Sequence, residues 1–448
     1  MTQKEKKGLN ISAASFVAAI AILVGLMILT YILTLVIPGG SIPFWKWALS
    51  PVLVLGSGQG GTLIAVMLFL LIIGGTFNAL DRSGTMDYML RKIVHAAGDK
   101  KYVLLAFVTL FFLSMGAFVG SFEECIPLVP LAVVLAVAMG WDEMVGLGMS
   151  LGAVACGFAT GVLNPFTTGV AQTLMGLPVF SGISLRLLTF VMIFGCLLLF
   201  LVPYAKKCEK KNREAGKVQE NIGISAFVRK ENMEASMRFF IGTIGVCFLV
   251  IVLSVFVPGL SDYLMILVAL FFLIAGVGCC ICSKIKPRKA ATYFGYGMLT
   301  ILPSLFLIMM AGSIQYTMNE SGIFEPISEF AEYFIAGMPP YVGILFIFLF
   351  AMLMNFFVSS GSAEAVLLMP LFATIAENCG MSKQLMVLAF NYGDGFSNLI
   401  YFTNPCLLIA LSLVGVSYVK WIKWSLKLQV MIAACCCGIL LLGSAIGY

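Results

Sequence analysis

Long apolar stretches constrain the fold of this chain more than any other feature. A helix that crosses a lipid bilayer needs about 20 consecutive, mostly apolar residues. Only 11% of the 448 residues are charged, whereas average soluble domains have about 25%. The sequence therefore predicts an all-α polytopic membrane protein and excludes a soluble enzyme, a disordered chain and a nucleic-acid-binding protein. The predicted spans are 14–37, 60–80, 185–206, 239–258, 262–283, 293–316 and 426–446.

The positions of the basic residues predict the orientation in the membrane. Two further apolar regions, 100–178 and 340–415, are interrupted, and we count each as a returning hairpin followed by a crossing helix. All but three of the 27 Lys and Arg residues then fall on one side, the exceptions being Lys46, Arg186 and Lys383. Because Lys-rich and Arg-rich loops stay in the cytoplasm, we expect nine crossings with the N-terminus inside and the C-terminus outside. The run from 13 to 36 is interpreted as a retained first span.

The two interrupted regions resemble each other. GSFEECIPLVPLAVVLAVAMG at 120–140 aligns with SGSAEAVLLMPLFATIAENCG at 360–380, which puts Glu124 over Glu364. At the same offset, an Asn-Pro pair recurs at 164–165 and 404–405. An odd number of predicted crossings separates the copies, so they should face opposite ways. Inverted repeats with interrupted helices are typical of secondary transporters, while a plain bundle with coincidental glycines and prolines is the alternative.

This repeat predicts the domain organisation. Each copy should contain a re-entrant helical hairpin with a polar tip, 120–125 or 359–364, followed by a transmembrane helix with a polar break, 161–169 or 391–405. Irregular backbone at membrane depth is tolerated only inside protein or beside a watery cavity. We expect a first repeat over 1–206 (hairpin 101–139, broken helix 143–178), a cytoplasmic linker over 207–237, and a second repeat over 238–448 (hairpin 340–379, broken helix 382–415).

Four acidic residues fall in these interrupted segments: Glu123, Glu124, Glu364 and Asp394. The same segments contain no Lys, Arg or His. A charge at the bilayer centre costs about 2.5–3.5 kcal/mol on insertion scales, so these carboxylates must be protonated or paired with a cation from outside the protein. A proton, a sodium ion and a cationic substrate each meet that requirement. A carboxylate that caps a helix near the membrane interface is the alternative, and it applies most to Glu123.

Hydroxyl and amide side chains accompany these acids and suit a small polar solute with an amino acid or carboxylate group, although some hydroxyls will bond only their own helix. The chain has one histidine, His95, and 13 cysteines without zinc-ligand spacing, so we expect no cofactor, metal site or disulfide framework; sodium at the hairpin tips stays open. The candidate substrate- and ion-binding residues are Gly120, Ser121, Glu123, Glu124, Asn164, Pro165, Thr167, Thr168, Ser359, Ser360, Gly361, Ser362, Glu364, Asn391, Asp394, Ser397, Asn398, Thr403 and Asn404.

Two segments have the pattern of surface helices. MNESGIFEPISEFAEYFIAGM at 318–338 has acids, no bases and apolar residues at helical spacing, which indicates an amphipathic helix on the outer face. The base-carrying segment 82–98 is its expected inner counterpart. The pair either joins a moving domain to a fixed one or forms plain connections.

The acid pair Glu123–Glu124, the string GVLNPFTTGVAQ at 161–172 and the string VLAFNYGDGFSNLIYFTNP at 387–405 resemble the YfcC family of membrane carriers. This family is related to the four-carbon dicarboxylate anaerobic carriers of the ion transporter superfamily, and the resemblance covers nearly the whole chain. It implies a homodimer in the bacterial cytoplasmic membrane, with a scaffold domain and a transport domain that moves like an elevator. The family's tip and break residues fall on Gly120–Glu124, Asn164–Thr168, Ser359–Glu364 and Asn391–Asn404.

The predicted function is secondary active transport of a small amino-acid-like solute, with a basic amino acid such as arginine or ornithine favoured by the unpaired acids. Members of the resembled family are labelled basic amino acid antiporters or dicarboxylate carriers. A dicarboxylate carrier coupled to Na⁺ or H⁺ is the alternative. A membrane-embedded enzyme is disfavoured, because the interrupted segments lack histidine and the chain has no metal motif such as H-E-x-x-H. A channel is less consistent with long hairpins and paired acids than alternating access is.

Overall fold

The computed structural model describes residues 13–58, 60–86, 88–89, 92, 100–214, 230–253, 257, 263–335 and 337–448. Every regular element in these ranges is a helix, which confirms the all-α prediction for this part of the chain. We number the α-helices α1 Ala13–Val36, α2 Phe44–Ala48, α3 Ser50–Leu53, α4 Gly60–Ser83, α5 Lys101–Ser114, α6 Val129–Ala138, α7 Glu143–Leu147, α8 Ala153–Thr160, α9 Val170–Leu174, α10 Ile183–Glu214, α11 Lys230–Leu253, α12 Leu264–Cys282, α13 Pro287–Ser321, α14 Phe324–Ile335, α15 Pro340–Asn355, α16 Gly361–Cys379, α17 Lys383–Ser397, α18 Pro405–Val414 and α19 Tyr418–Ile446.

Short helical segments of other types connect some of these elements. Five-residue π-helical segments extend α5 (Met115–Val119), join α7 to α8 (Gly148–Gly152) and precede α9 (Pro165–Gly169). A 3₁₀-helical turn, Glu123–Leu128, leads into α6, and another, Val54–Gly56, follows α3. Such wide or tight turns are frequent at functional positions in helices.

Seven helices of the described residues are long and apolar enough to cross a membrane, which supports a multi-pass membrane protein. One of them, Lys101–Val119, has 19 residues and forms the first arm of the hairpin expected over 101–139. The π-helical segment Met115–Val119 continues α5 to the end of this arm, where the left-handed Gly120 (φ +76°) follows. The linker predicted at 207–237 is also partly helical, because α10 continues to Glu214 and α11 begins at Lys230.

The helices pack in two groups. In the first group, α4 packs against α12 and α13, α11 packs against α12, and α1 packs against α13. The second group contains the two interrupted regions: α5 packs against α8, α15 against α17, and α10 against α19. Contacts between the groups include α13 with α18 and α12 with the turn Glu123–Leu128.

The second break is shorter than predicted. The sequence placed it at 391–405, but α17 continues to Ser397, so only residues 398–404 are non-helical and Asn391, Asp394 and Ser397 lie on the helix. The physical reason is that the two glycines of this segment permit close crossings instead of ending the helix. A Cβ on Gly395 would lie 2.2 Å from Cα of Ala159, and one on Gly393 would lie 2.8 Å from the carbonyl oxygen of Phe348.

The segment 318–338 is not one helix. Its first residues form the end of α13, the left-handed Gly322 (φ +73°) ends that helix, and the amphipathic helix is only Phe324–Ile335. Glu320, which the sequence assigned to the surface helix, instead pairs with Lys46 at 2.8 Å. Most of the inner counterpart, 82–98, lies outside the described residues, and its first residues form the end of α4 and the turn after it.

Candidate functional site

The first break separates α8 from the π-helical turn that precedes α9. The left-handed Gly161 (φ +52°) ends α8. The side chain of Asn164 then caps the next helical turn, because its Oδ1 accepts hydrogen bonds from the backbone N–H of Phe166 (2.9 Å) and Thr167 (3.3 Å). Pro165 follows the cap and has no N–H to satisfy. Asn164 is fully buried, and its Nδ2 has no hydrogen-bond partner.

In the second break, an asparagine side chain also caps the helix that follows. Oδ1 of Asn404 accepts a hydrogen bond from the backbone N–H of Cys406 at 2.8 Å, and Pro405 is again the first helical residue. Nδ2 of Asn404 donates to Oδ1 of Asn398 at 2.5 Å, which ties the two ends of the break together. Both Asn-Pro pairs thus start a helix inside the protein, where the free N–H groups of the first turn carry partial positive charge.

The two hairpin tips meet at the first break. Ser362, in the second tip, donates a hydrogen bond from its Oγ to the carbonyl oxygen of Phe166 at 2.7 Å. Gly120, in the first tip, lies against the same residues, because a Cβ there would be 2.3 Å from Oδ1 of Asn164 and 2.9 Å from the ring of Phe166. The segment 164–166 therefore lies between the tips that the sequence assigned to different repeats.

A hydrogen bond also links the two broken helices. Nδ2 of Asn391, on α17, donates to Oγ1 of Thr168 at 2.9 Å, and that hydroxyl donates to the carbonyl oxygen of Gly161 at 2.7 Å. Both side chains are buried. The hydroxyl of Thr168 thus has both of its hydrogen bonds within the protein and stabilises the break, whereas Oδ1 of Asn391 has no partner.

Two carboxylates occupy the centre of this region. Glu364 lies in the first turn of α16 and Asp394 on α17, and their side chains are 0% and 1% exposed. None of their four oxygens has a hydrogen-bond partner, and neither residue takes part in an ion pair of the described residues. A Cβ on Gly361 would lie 2.9 Å from Oδ2 of Asp394, so the N-terminus of α16 abuts this carboxylate. Buried charges normally have a partner, so the unpartnered oxygens make this pair a candidate site for a proton or a cation.

The other two acids differ in environment. Glu123 is exposed and Glu124 is half-buried, both on the 3₁₀ turn of the first hairpin. That turn packs against the start of α18, next to the second break. The four acids that the sequence grouped together are therefore two buried carboxylates and two that are more accessible.

Some of the remaining candidate side chains have no hydrogen-bond partner, and others already bond to the protein. The hydroxyls of Ser121, Thr167 and Thr403 are buried without a hydrogen-bond partner. The Oγ of Ser397 donates to the carbonyl oxygen of Gly393 at 2.6 Å, so it stabilises its own helix. In the second tip, Ser359 is half-buried and Ser360 is exposed.

Asn355, at the end of α15, belongs to this cluster although it was not among the candidates. Its Nδ2 lies within hydrogen-bonding distance of the carbonyl oxygen of Asp394 (2.8 Å), Oγ of Ser397 (2.6 Å) and Oδ1 of Asn398 (2.9 Å). Its own Oδ1 is buried and unpaired. A single amide at the end of an otherwise apolar arm, YVGILFIFLFAMLMN, is the sequence signal that could have identified it.

The buried side-chain atoms of the candidate site that lack a hydrogen-bond partner are mostly oxygens. They belong to the two carboxylates, to the amides of Asn355 and Asn391, and to the hydroxyls of Ser121, Thr167 and Thr403. Hard cations and protonated amines take oxygen ligands of this kind. The arrangement can therefore bind a cation, a proton or the amino group of a solute.

Two solved transporters superpose on this chain at low similarity. YdaH from Alcanivorax borkumensis gives a TM-score of 0.45 at 17% identity, covering 97% of this chain and 99% of that one. MtrF from Neisseria gonorrhoeae, described as one of a class of antimetabolite efflux pumps, gives 0.45 at 14% identity, covering 96% and 95%. At this level, neither structure supports a conclusion about the present chain.

Proteins related in sequence identify the family of this chain, which the two solved structures do not. A protein of Escherichia coli K12 named "Putative basic amino acid antiporter YfcC" is 30% identical over 382 residues, which is 81% of this chain and 74% of that protein. An uncharacterised protein of Haemophilus influenzae is 23% identical over 386 residues, 81% of this chain and 72% of that protein. The model of the family of C4-dicarboxylate anaerobic carriers matches residues 51–444. The chain therefore belongs to the C4-dicarboxylate anaerobic carrier (DcuC) family of membrane transporters and is a carrier, as its sequence predicted.

Proposed function

We propose that this carrier is a secondary active transporter of a small amino-acid-like solute, most consistent with a basic amino acid such as arginine or ornithine. It works by exchange or by cation coupling. The buried carboxylates of Glu364 and Asp394, whose oxygens all lack partners, carry this proposal. At about 2.5–3.5 kcal/mol for each central charge, leaving both ionised and unpaired is costly, and a cationic group from the solute removes that cost.

The helix ends at this position suit the other half of an amino acid. The turns that begin at Pro165 and Pro405 follow buried asparagines, which cap them, and α16 begins at the half-buried Gly361 beside Asp394. Helix N-termini stabilise anions such as a carboxylate group. A zwitterion with an additional positive charge would satisfy both the acids and the helix ends. The name of the Escherichia coli relative is consistent with this substrate class.

A dicarboxylate carrier coupled to Na⁺ or H⁺ is the second candidate, and the family description favours it. In that case the helix N-termini bind the substrate carboxylates, while sodium or protons neutralise Glu364 and Asp394. Sodium at the hairpin tips would be coordinated by carboxylate, amide and hydroxyl oxygens of the kind that are unpaired here.

Reciprocal packing supports two inverted repeats. The second hairpin packs through α16 against the turn Pro165–Gly169 and α9 of the first copy, and the first hairpin packs through Glu123–Leu128 and α6 against α18 of the second copy. We infer that both hairpins and both broken helices form a transport domain that moves like an elevator. The group containing α1, α4, α11, α12 and α13 would be the scaffold through which two copies form a homodimer.

The proposed orientation is that of a bacterial cytoplasmic membrane protein with its N-terminus inside and its C-terminus outside. It follows from the distribution of Lys and Arg. Fusion of a periplasm-dependent or a cytoplasm-dependent reporter to the C-terminus tests it, and fluorescence of a cytoplasmic reporter at that end would contradict it.

Transport assays on the purified chain in proteoliposomes test the proposed substrate. We expect saturable counterflow of labelled arginine into vesicles loaded with unlabelled arginine, measured with and without sodium and pH gradients. Succinate or fumarate uptake that arginine does not inhibit would replace this proposal with the dicarboxylate alternative. A linear, unsaturable conductance would contradict both.

Glu124 and its neighbour form a matched pair for testing the first hairpin. Glu124 is half-buried and Glu123 exposed, so we expect Glu124→Gln to abolish coupled uptake, while Glu123→Gln lowers it by less than about threefold, since exposed charges contribute little. The measurement is the initial rate of uptake at equal reconstituted protein. Equal rates in the Glu124→Gln variant and the wild type would remove this acid from the mechanism.

A further inference from the structure

Arg186 is a buried cation with no anionic partner in the part of the chain that the structure describes. It lies in the first turn of α10, its side chain is 1% exposed, and neither Nε nor Nη1 has a hydrogen-bond partner. It takes part in no ion pair of the described residues. Tyr392 and Tyr448 are the ionisable groups close enough to interact with it electrostatically, and phenols are neutral near pH 7.

The guanidinium cannot remove this problem by losing its proton, because arginine stays protonated in proteins. Buried charges are normally paired, so a buried guanidinium with two unpartnered nitrogens is a candidate site for an anion. Arg186 also lies where a helix already carries positive charge, since the first four N–H groups of α10 have no acceptor within the helix. Two sources of positive charge thus lie close together, at a helix start where Ile183 and Ser184 are exposed and Arg186 is buried.

The surroundings of Arg186 are built to hold the side chain in position. Its Nη2 donates to the carbonyl oxygen of Phe180 at 3.0 Å and to that of Ser181. Phe180 adopts φ +62°, which is unfavourable for a residue with a bulky side chain. Gln172 holds the same loop, since its Oε1 accepts from the N–H of Phe180 at 2.5 Å and its Nε2 donates to the carbonyl oxygen of Ser181 at 2.8 Å. The loop therefore fixes the Nη2 end of the guanidinium, while Nε and Nη1 have no hydrogen-bond partner.

We infer that Arg186 and the first turn of α10 form a binding site for a small anion, either an inorganic ion such as chloride or the carboxylate of a solute. The site is separate from Glu364 and Asp394 but adjoins the same region. The ring of Phe180 lies 3.8 Å from where a Cβ of Gly169 would be, next to Thr168. On the other side, Thr189, one turn after Arg186, hydrogen bonds the hydroxyl of Tyr392. This inference does not depend on which substrate the carrier moves.

Thermal unfolding of the purified full-length protein tests the site, because a ligand that binds the native state raises its apparent stability. At constant ionic strength, sodium gluconate is replaced stepwise by chloride, by acetate or by succinate. We expect at least one small anion to raise the apparent melting temperature of the wild type by about 2 °C or more, with saturation. Saturation by chloride identifies an inorganic ion, and saturation by acetate or succinate alone identifies a solute carboxylate.

Variants then assign the effect to Arg186. We expect the increase to disappear in Arg186→Gln and to persist in Lys46→Gln, which removes one positive charge from an exposed ion pair. Arg186→Lys keeps the charge and is expected to retain a response at higher anion concentration, so the test holds even where Arg186→Gln does not fold. An unresponsive wild type, or equal responses of Arg186→Gln and wild type, would overturn the inference.

Discussion

Replacing Glu364 with glutamine is expected to abolish coupled uptake and leave the folded protein at least as stable as the wild type. Glutamine has nearly the same shape, but it cannot ionise and so cannot bind a proton or attract a cation. Removing the carboxylate that would pair with a bound cationic group costs about 3–5 kcal/mol, and tenfold in rate corresponds to about 1.4 kcal/mol. We therefore expect uptake to fall at least about 100-fold, measured as initial rates in proteoliposomes.

The effect of Glu364→Gln on stability distinguishes an acid that binds a cation from an acid that stabilises the fold. Because all oxygens of Glu364 and Asp394 lack partners, removing one carboxylate relieves an unfavourable buried charge, and the apparent melting temperature should be unchanged or higher. Such a trade of stability for activity is common at functional sites. A large decrease in melting temperature, or wild-type uptake, would contradict the assignment.

Glu377→Gln is the matched control on the same helix. Glu377 is largely exposed on α16 and pairs with Lys383 at 2.9 Å. Exposed ion pairs contribute about 0–1 kcal/mol, so this substitution should change neither uptake nor melting temperature measurably. Both substitutions remove one negative charge from α16, and only one of them removes it from the buried cluster.

The sequence was sufficient to predict the helical fold and most of the interrupted segments. Apolar runs of about 20 residues have few alternatives in lipid, and an Asn-Pro pair inside an apolar segment indicates a helix start, which both Asn164 and Asn404 provide. The matching acids of the two copies directed attention to Glu364. These features are visible in the sequence pattern itself, so they needed no tertiary information.

The sequence was not sufficient to predict features that depend on how the helices pack against each other. The glycines at 393 and 395 indicated a break, but in the fold they allow α17 to pass close to Phe348 and Ala159. Asn355 was missed because its partners are distant in sequence. The sequence analysis used Arg186 only as a basic residue on the outer side, and only the fold reveals that it is buried with Nε and Nη1 unpaired.

The second large effect is expected at the first break, from Gly161→Ala. At φ +52° any side chain is strained, and the added Cβ would lie 2.4 Å from Oγ1 of Thr168 and 2.9 Å from Nδ2 of Asn391. The new methyl group must displace Thr168, which breaks the hydrogen bond from Asn391 to Thr168 that joins the two broken helices. We expect uptake to fall at least about tenfold, which corresponds to about 1.4 kcal/mol.

Gly176→Ala separates this effect from backbone strain. Gly176 has a similar conformation, φ +69°, but nothing lies within 4 Å of its added Cβ. Both variants should lose about 1–2 kcal/mol of stability from the left-handed conformation. The melting temperature of Gly161→Ala should fall further than that of Gly176→Ala, because its methyl group also displaces Thr168, and only Gly161→Ala is expected to lose transport. Equal uptake by the two variants would show that the contact between Thr168 and Asn391 does not hold the site together. A loss of uptake in Gly161→Ala alone would indicate that transport requires the hydrogen bond that joins the two broken helices. This bond holds the binding residues of the two copies in position around the same solute.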